Sequence, residues 1–203
     1  MSPQRIGHII IMAIYDHNIT TGCSQNPLKY CPEDNVTRGQ MAAFIIRAKY
    51  GENFSYTTTP YFTDVPSTHT FFKYVQKLRD DGITAVSGTY AVDSYVTRGQ
   101  MSAFIIRAKF GESFTYTQTP YFSDVPATHG FFKYVQKLKD EGITAVTGTY
   151  YVNNNVTRAR WLPSLQEHSW GCSSKYIPFP STFLLTGTIS SGKEILRPGL
   201  RNI

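Results

Sequence analysis

The stretch VTRGQM runs from Val36 to Met41 and returns, letter for letter, from Val96 to Met101. A third copy starts on schedule at Val156 but reads VTRARW, and the residues after Trp161 resemble nothing upstream. Extended outward from that motif, residues 36–95 and 96–155 align without gaps and match at 45 of 60 positions. Self-similarity at a fixed period means a repeated supersecondary unit whose copies must complete one another's core.

Two helices are readable in each copy. Thr37 and Thr97 are good N-caps, and Gln40 and Gln100 stand three residues later, as a capping box requires. Met101, Phe104, Ile105 and Ala108 then come at the spacing of a core-facing stripe. The second helix is predicted over Thr68–Asp81 and Thr128–Glu141, where Phe72, Val75 and Leu78 make one apolar stripe that Phe71 and Tyr74 widen. Gly82 and Gly142 supply the left-handed residue that ends it. The loop GITAVSGTYAVDSY is punctuated by glycine and suits brief strand pairing, whereas GENFSYTTTPYFTDVP reads as an extended connector. The fold class is therefore mainly α, built of tandem helix-loop-helix repeats.

Composition narrows the function classes. The formal charge is +6, but half of it falls after residue 159, where five Lys/Arg face two Asp/Glu; residues 1–159 hold 15 and 12. The repeats are close to balanced, which argues against a nucleic-acid footprint. No GxSxG, HExxH, Walker loop or Cys-x-x-Cys is present, so an enzyme reading has no support and no cofactor is implied. Asp80-Asp81 reads as solvated charge at a helix end. His69 and His129 lack a second ligand at helical spacing, so no metal site is expected, and they read as packing or hydrogen-bonding residues at a helix start. Asp64 and Asp124, each before Val-Pro, read as structural caps. Tyr74 and Tyr134 read as core, while Tyr90 and Tyr150 sit in a GTY loop and are candidate binding platforms, because loops carry binding. Cys23 and Cys31 lie in one loop with seven residues between them; a disulfide and two unpaired thiols are both open. The apolar run Ile9–Ile14 is too short for a signal core or a membrane span.

The ordered set DVPxxH, an apolar helix, GIT, a glycine-containing loop and VTRGQM resembles the S-layer homology module. That order covers residues 62–158 and reaches back through Asn18-Ile19-Thr20, with TTGCSQNPLKYCPEDN as a longer first loop. The resemblance implies three repeats, at 11–50 (partial), 61–110 and 121–160 (its second helix disrupted), packed about a pseudo-threefold axis. It also implies grooves between repeats that bind anionic, pyruvylated cell-wall polysaccharide and so anchor an exported protein at the cell envelope. The signal peptide and the covalently linked passenger domain would lie outside this chain. The basic residue of the family's Thr-Arg motif maps to Arg38, Arg98 and Arg158. A guanidinium at a first helical turn can fork onto a carboxylate, with nearby backbone N–H groups adding positive potential. By chemistry alone, Arg38 and Arg98 read equally as solvated helix-start residues. Two departures stand out. Gln40 and Gln100 replace the family's glutamate, and Thr70 and Gly130 replace its tryptophan. Phe71 and Phe131, one position on, become a displaced aromatic platform. The competing class is a structural or protein-interaction repeat without a sugar ligand, or a non-functional gene fragment.

The ends break the pattern. Pro163 falls inside the expected helix of the third copy, at a cost of about 3 kcal/mol. Codons that write RWLPSLQEHSWG can be chosen so that, one base out of phase, they write QMAAFLARAFLG, the expected helix. Codons for MSPQRIGHII likewise yield DVTPADWAYN. Residues 1–10 are thus expected to be an out-of-frame N-terminus, and 161–203 an out-of-frame or disordered tail. The nucleotide sequence decides both.

Overall fold

A computed structural model describes residues 11–12 and 14–160. The expectations for residues 1–10 and 161–203, including the replacement of the third stripe by Trp161-Leu162-Pro163, lie outside the described residues. Among the described residues, four helices with defined bounds carry the architecture: α1 (Arg38–Tyr50), α2 (Phe72–Asp80), α3 (Arg98–Phe110) and α4 (Phe132–Asp140). A further helical turn covers residues 14–16. Strand is scarce. β1 (Ser24–Gln25) and β2 (Leu28–Lys29) form a two-residue antiparallel pair in the cysteine loop. The loops read as brief strand make only isolated bridges, such as Phe62 with Gly88.

α1 and α3 begin at full capping boxes. The Thr37 hydroxyl accepts from the Gln40 amide while the Gln40 side chain accepts from the Thr37 amide, and Thr97 and Gln100 repeat this. α2 and α4 are shorter than predicted by four residues at the start. After Pro66 the chain makes successive turns, with His69 N–H donating to the Pro66 carbonyl and Phe72 N–H to the His69 carbonyl. The His69 Nδ1 accepts the Phe71 amide at 3.1 Å, so the imidazole holds a turn in place of a first helical turn. At the other end, Gly82 takes φ +67°. Gly82 N–H donates to Arg79 and Ile83 N–H to Leu78, the paired bonds of a Schellman ending.

The stripe on α2 is buried as Phe72, Val75 and Leu78, joined by Tyr74 and by a polar residue, Gln76. Val75 and Leu78 are wholly buried and contribute about 1.5–3 kcal/mol each. α1 packs on α2, α3 on α4, and α1 touches α3. One core cluster joins α1, α2, Ile14, Ile19 and part of α3, and a second lies between α3 and α4.

At the centre three backbone hydrogen bonds close a ring. Val36 N–H donates to the Val156 carbonyl at 2.8 Å, Val156 to Val96 at 2.8 Å, and Val96 to Val36 at 2.9 Å. All three valines are fully buried. The motif that opens each copy of the repeat therefore meets its own copies.

Candidate functional site: the arginine seams

Each valine of the ring is followed by Thr-Arg, and each arginine lies in a seam against a distant loop. The Arg38 Nε donates to the Tyr90 carbonyl at 2.7 Å, and the Tyr90 hydroxyl donates back to the Arg38 carbonyl at 3.2 Å. The guanidinium carbon sits 4.6 Å from the Tyr90 ring centroid and 5.5 Å from that of Phe104. Arg98 and Tyr150 repeat the arrangement, with Nε to carbonyl 2.7 Å and guanidinium to ring 4.5 Å. The third seam draws its tyrosine from the other end of the chain. Arg158 Nε donates to the Tyr30 carbonyl at 2.6 Å, its guanidinium lies 4.7 Å from the Tyr30 ring, and Tyr30 donates to the Arg158 carbonyl at 2.7 Å. Arg158 also donates to the buried Thr20 hydroxyl at 3.1 Å.

The expected solvent-facing arginines are thus corrected. Arg38, Arg98 and Arg158 are 8%, 5% and 3% exposed, because each is sandwiched into a seam. A desolvated guanidinium on an aromatic face is worth up to about 2 kcal/mol. Burial pushes the Arg158 pKa down, opposed by Tyr30 and Asp34. Tyr90 and Tyr150 are corrected as exposed platforms: both are sealed in the core, and burial drives the Tyr90 pKa up. The helix N-termini are also occupied. Arg38 N–H donates to Ser94, Gly39 N–H to Val92 and Gln40 N–H to Thr37 Oγ1, so these amides are spent within the protein.

Asp64 and Asp124 cap something other than their own turn. The Asp64 carboxylate accepts the amides of Tyr90 and Ala91 at 2.7 Å and of Val92 at 3.3 Å, more than 25 residues away. Asp124 takes those of Tyr150 and Val152. This clamp presents each tyrosine and holds Ala91 and Tyr151 at φ +58°, a left-handed geometry that costs non-glycine residues about 1 kcal/mol or more. Burial works against the Asp64 carboxylate, but the three amides outweigh it and hold its pKa below the ordinary carboxylate range; Asp124 behaves alike.

Phe71 and Phe131 remain half-buried. Each ring lies directly on a glycine at the first turn of α1 or α3. A Cβ on Gly39 would overlap the Phe71 ring and stand 2.8 Å from Val92; Gly99 meets Phe131 and Val152 identically. His69 and His129 stand beside these rings at 5.9 Å between centroids. Glycine, phenylalanine and histidine therefore adjoin one another, with the arginine next in sequence to the glycine. Cys23 and Cys31 form a disulfide in the loop that presents Tyr30. Asp34 lies close to both sulfurs, but bonded sulfurs offer no thiolate to a metal.

Sequence reasoning missed Tyr30, Gly39 and Gly99, and Gln76 with Gln136. Tyr30 stands one period of 60 before Tyr90, a signal that was present in the spacing. Gln76 stands four residues after Phe72, a polar residue at an apolar register.

Among known families, residues 61–102 and 121–159 each match the S-layer homology domain. S-layer homology domains generally anchor proteins to the cell wall by binding its polymers, and they imply association with the cell surface. The two matched repeats contribute Tyr90 and Tyr150, and each of those tyrosines clasps the arginine of the preceding motif. No curated protein matches the chain. Among the described residues no helix is long and apolar enough to cross a membrane.

Proposed function

We propose that the chain is a non-catalytic anchoring module of three S-layer homology repeats about a pseudo-threefold axis, holding anionic, pyruvylated wall polysaccharide at the seams between repeats. The observation that supports it is the match of the two repeats, taken with a buried arginine and, over the glycine that follows it, a half-buried phenylalanine at each of their seams. In this reading Phe71 and Phe131 receive the sugar, with His69 and His129 beside them. Arg38, Arg98 and Arg158 supply positive charge from behind and hold the seams closed. The protein acts outside the cell, linked to a passenger domain.

The test is co-sedimentation of the chain with cell-wall sacculi before and after acid extraction of their secondary polymer. Pelleting that disappears on extraction and is competed by the released polymer supports the reading; equal pelleting on both overturns it. Phe131→Leu should weaken pelleting while leaving the circular dichroism spectrum unchanged. Arg98→Ala is a poor probe, since it removes a buried clasp and is expected to destabilise the fold. A second reading, a protein-interaction repeat without sugar, is favoured by the internal occupation of the helix N-termini. Absence of saturable polysaccharide binding would select it.

A further inference from the structure

Gln76 and Gln136 are wholly buried polar side chains, which is costly unless every hydrogen bond is made. Gln76 makes all of them to one segment. Its Nε2 donates to the carbonyls of Thr57 at 2.7 Å and Thr59 at 2.6 Å, and its Oε1 accepts the Tyr61 amide at 3.1 Å. Asp80, on the same face of α2 one turn on, secures that segment again. Its carboxylate accepts the Thr57 amide at 2.9 Å and the Tyr61 hydroxyl at 2.9 Å.

What this double clamp holds outward is an aromatic ring. Tyr61 is 43% exposed although its backbone and hydroxyl are both tied down, and its ring is braced edge-on by Phe62. The second copy reproduces every part: Gln136 grips Thr117, Thr119 and Tyr121, Asp140 takes the Tyr121 hydroxyl at 2.9 Å, and Tyr121 is 42% exposed. An immobilised tyrosine loses little entropy on binding and offers an apolar face rimmed by acceptors.

We propose that Tyr61 and Tyr121 are two equivalent sugar-stacking subsites, separate from the arginine seams, for a neutral pyranose with equatorial substituents. Such a ring presents a face of C–H groups to the tyrosine, while its hydroxyls reach the Asp80 or Asp140 carboxylate. The carboxylate beside each ring selects against the anionic sugars assigned to the seams. The subsites would let the module grip the uncharged glycan backbone of a wall as well as its acidic polymer.

The experiment is a calorimetric titration of the full chain with the neutral tetrasaccharide of β-1,4-linked N-acetylglucosamine. Weak saturable binding, with Kd on the order of millimolar as expected of a few-contact site, should halve in stoichiometry in Tyr61→Ala and vanish in Tyr61→Ala/Tyr121→Ala. Tyr61→Phe, which keeps the face and loses the hydroxyl clamp, should bind at both sites with the first weakened by about threefold to tenfold. Undiminished binding by the double alanine variant, or no saturable binding by the parent chain, overturns the proposal. The seam reading is scored separately by the acid-extractable polymer, so either can fail alone.

Discussion

The two seams built from Arg38 with Tyr90 and Arg98 with Tyr150 differ instructively from the one built from Arg158 with Tyr30. All three keep the same reciprocal clasp: guanidinium on the ring, Nε to the tyrosine carbonyl, hydroxyl to the arginine carbonyl. Around that clasp the third seam keeps the amide bonds of the motif, Arg158 N–H to Asp34 and Ala159 N–H to Pro32, and changes other parts. The residue at the position of Gly39 and Gly99 is Ala159. A Cβ at Gly39 or Gly99 collides with a phenylalanine ring, so those two seams have no room for the side chain that Ala159 carries. The left-handed residue of the loop is Cys31, at φ +52°, where the others have Ala91 and Tyr151. It is tied by the disulfide to Cys23, whereas Ala91 and Tyr151 are tied by an aspartate clamp. The clasp is what a seam requires, and the means of presenting the tyrosine is interchangeable.

The largest expected effect tests that ranking. Tyr150→Ala should destabilise by about 3–5 kcal/mol, the range for emptying a buried aromatic site. Tyr30→Ala should cost less, since Tyr30 is only half-buried; urea unfolding of both variants measures the difference, and equal losses would show the third seam to be a full partner. Next, reducing the Cys23–Cys31 bond should cost about 2–3 kcal/mol from the loop it closes. Hydrogen exchange should then rise at Tyr30 and Arg158 first, leaving Tyr90 and Tyr150 protected. Gly99→Ala should cost about 1–3 kcal/mol by overpacking against Phe131 and Val152. Ala159→Gly should cost under about 1 kcal/mol, the backbone penalty of glycine alone; thermal melts that shift equally for the two variants would show that contact with the phenylalanine ring is not what sets the cost at Gly99. The smallest effect is on acidity. Asp64 and Asp124 have depressed pKa values in the folded state. Their contribution is therefore present above the unfolded carboxylate range near about pH 4 and is lost as pH falls through the lower folded values. Stability of Asp64→Asn and Asp124→Asn variants measured from neutral to acid pH should show a shallower acid slope than the parent.

The helices were legible in the sequence because their signals are local. Capping threonines, the Gly82 and Gly142 endings and the stripes on α2 and α4 depend on residues within one or two turns. The late start of α2 was not, since His69 holds its turn through a side chain whose target cannot be read from spacing. The seams were half legible. Resemblance located Arg38, Arg98 and Arg158, but their burial depends on Tyr90, Tyr150 and Tyr30 arriving from loops far along the chain. The same long-range contact turned Tyr90 and Tyr150 from exposed loop residues into core, and turned Asp64 and Asp124 from local caps into clamps on another loop. Gln76 was opaque for a related reason: a polar residue in an apolar stripe announces an exception, and only the folded connector shows what it satisfies.

The valine ring has a mechanical consequence. In an open stack of repeats, a terminal unit can peel away after breaking one neighbouring interface, so loss proceeds from an end. A cycle of three bonds has no terminal member. Removing any one valine segment severs two of the three links at once, so the first step of disassembly is the most expensive. A load applied to one valine segment is shared by both others. In the anchoring role proposed, that makes failure abrupt and rare where a linear stack would creep.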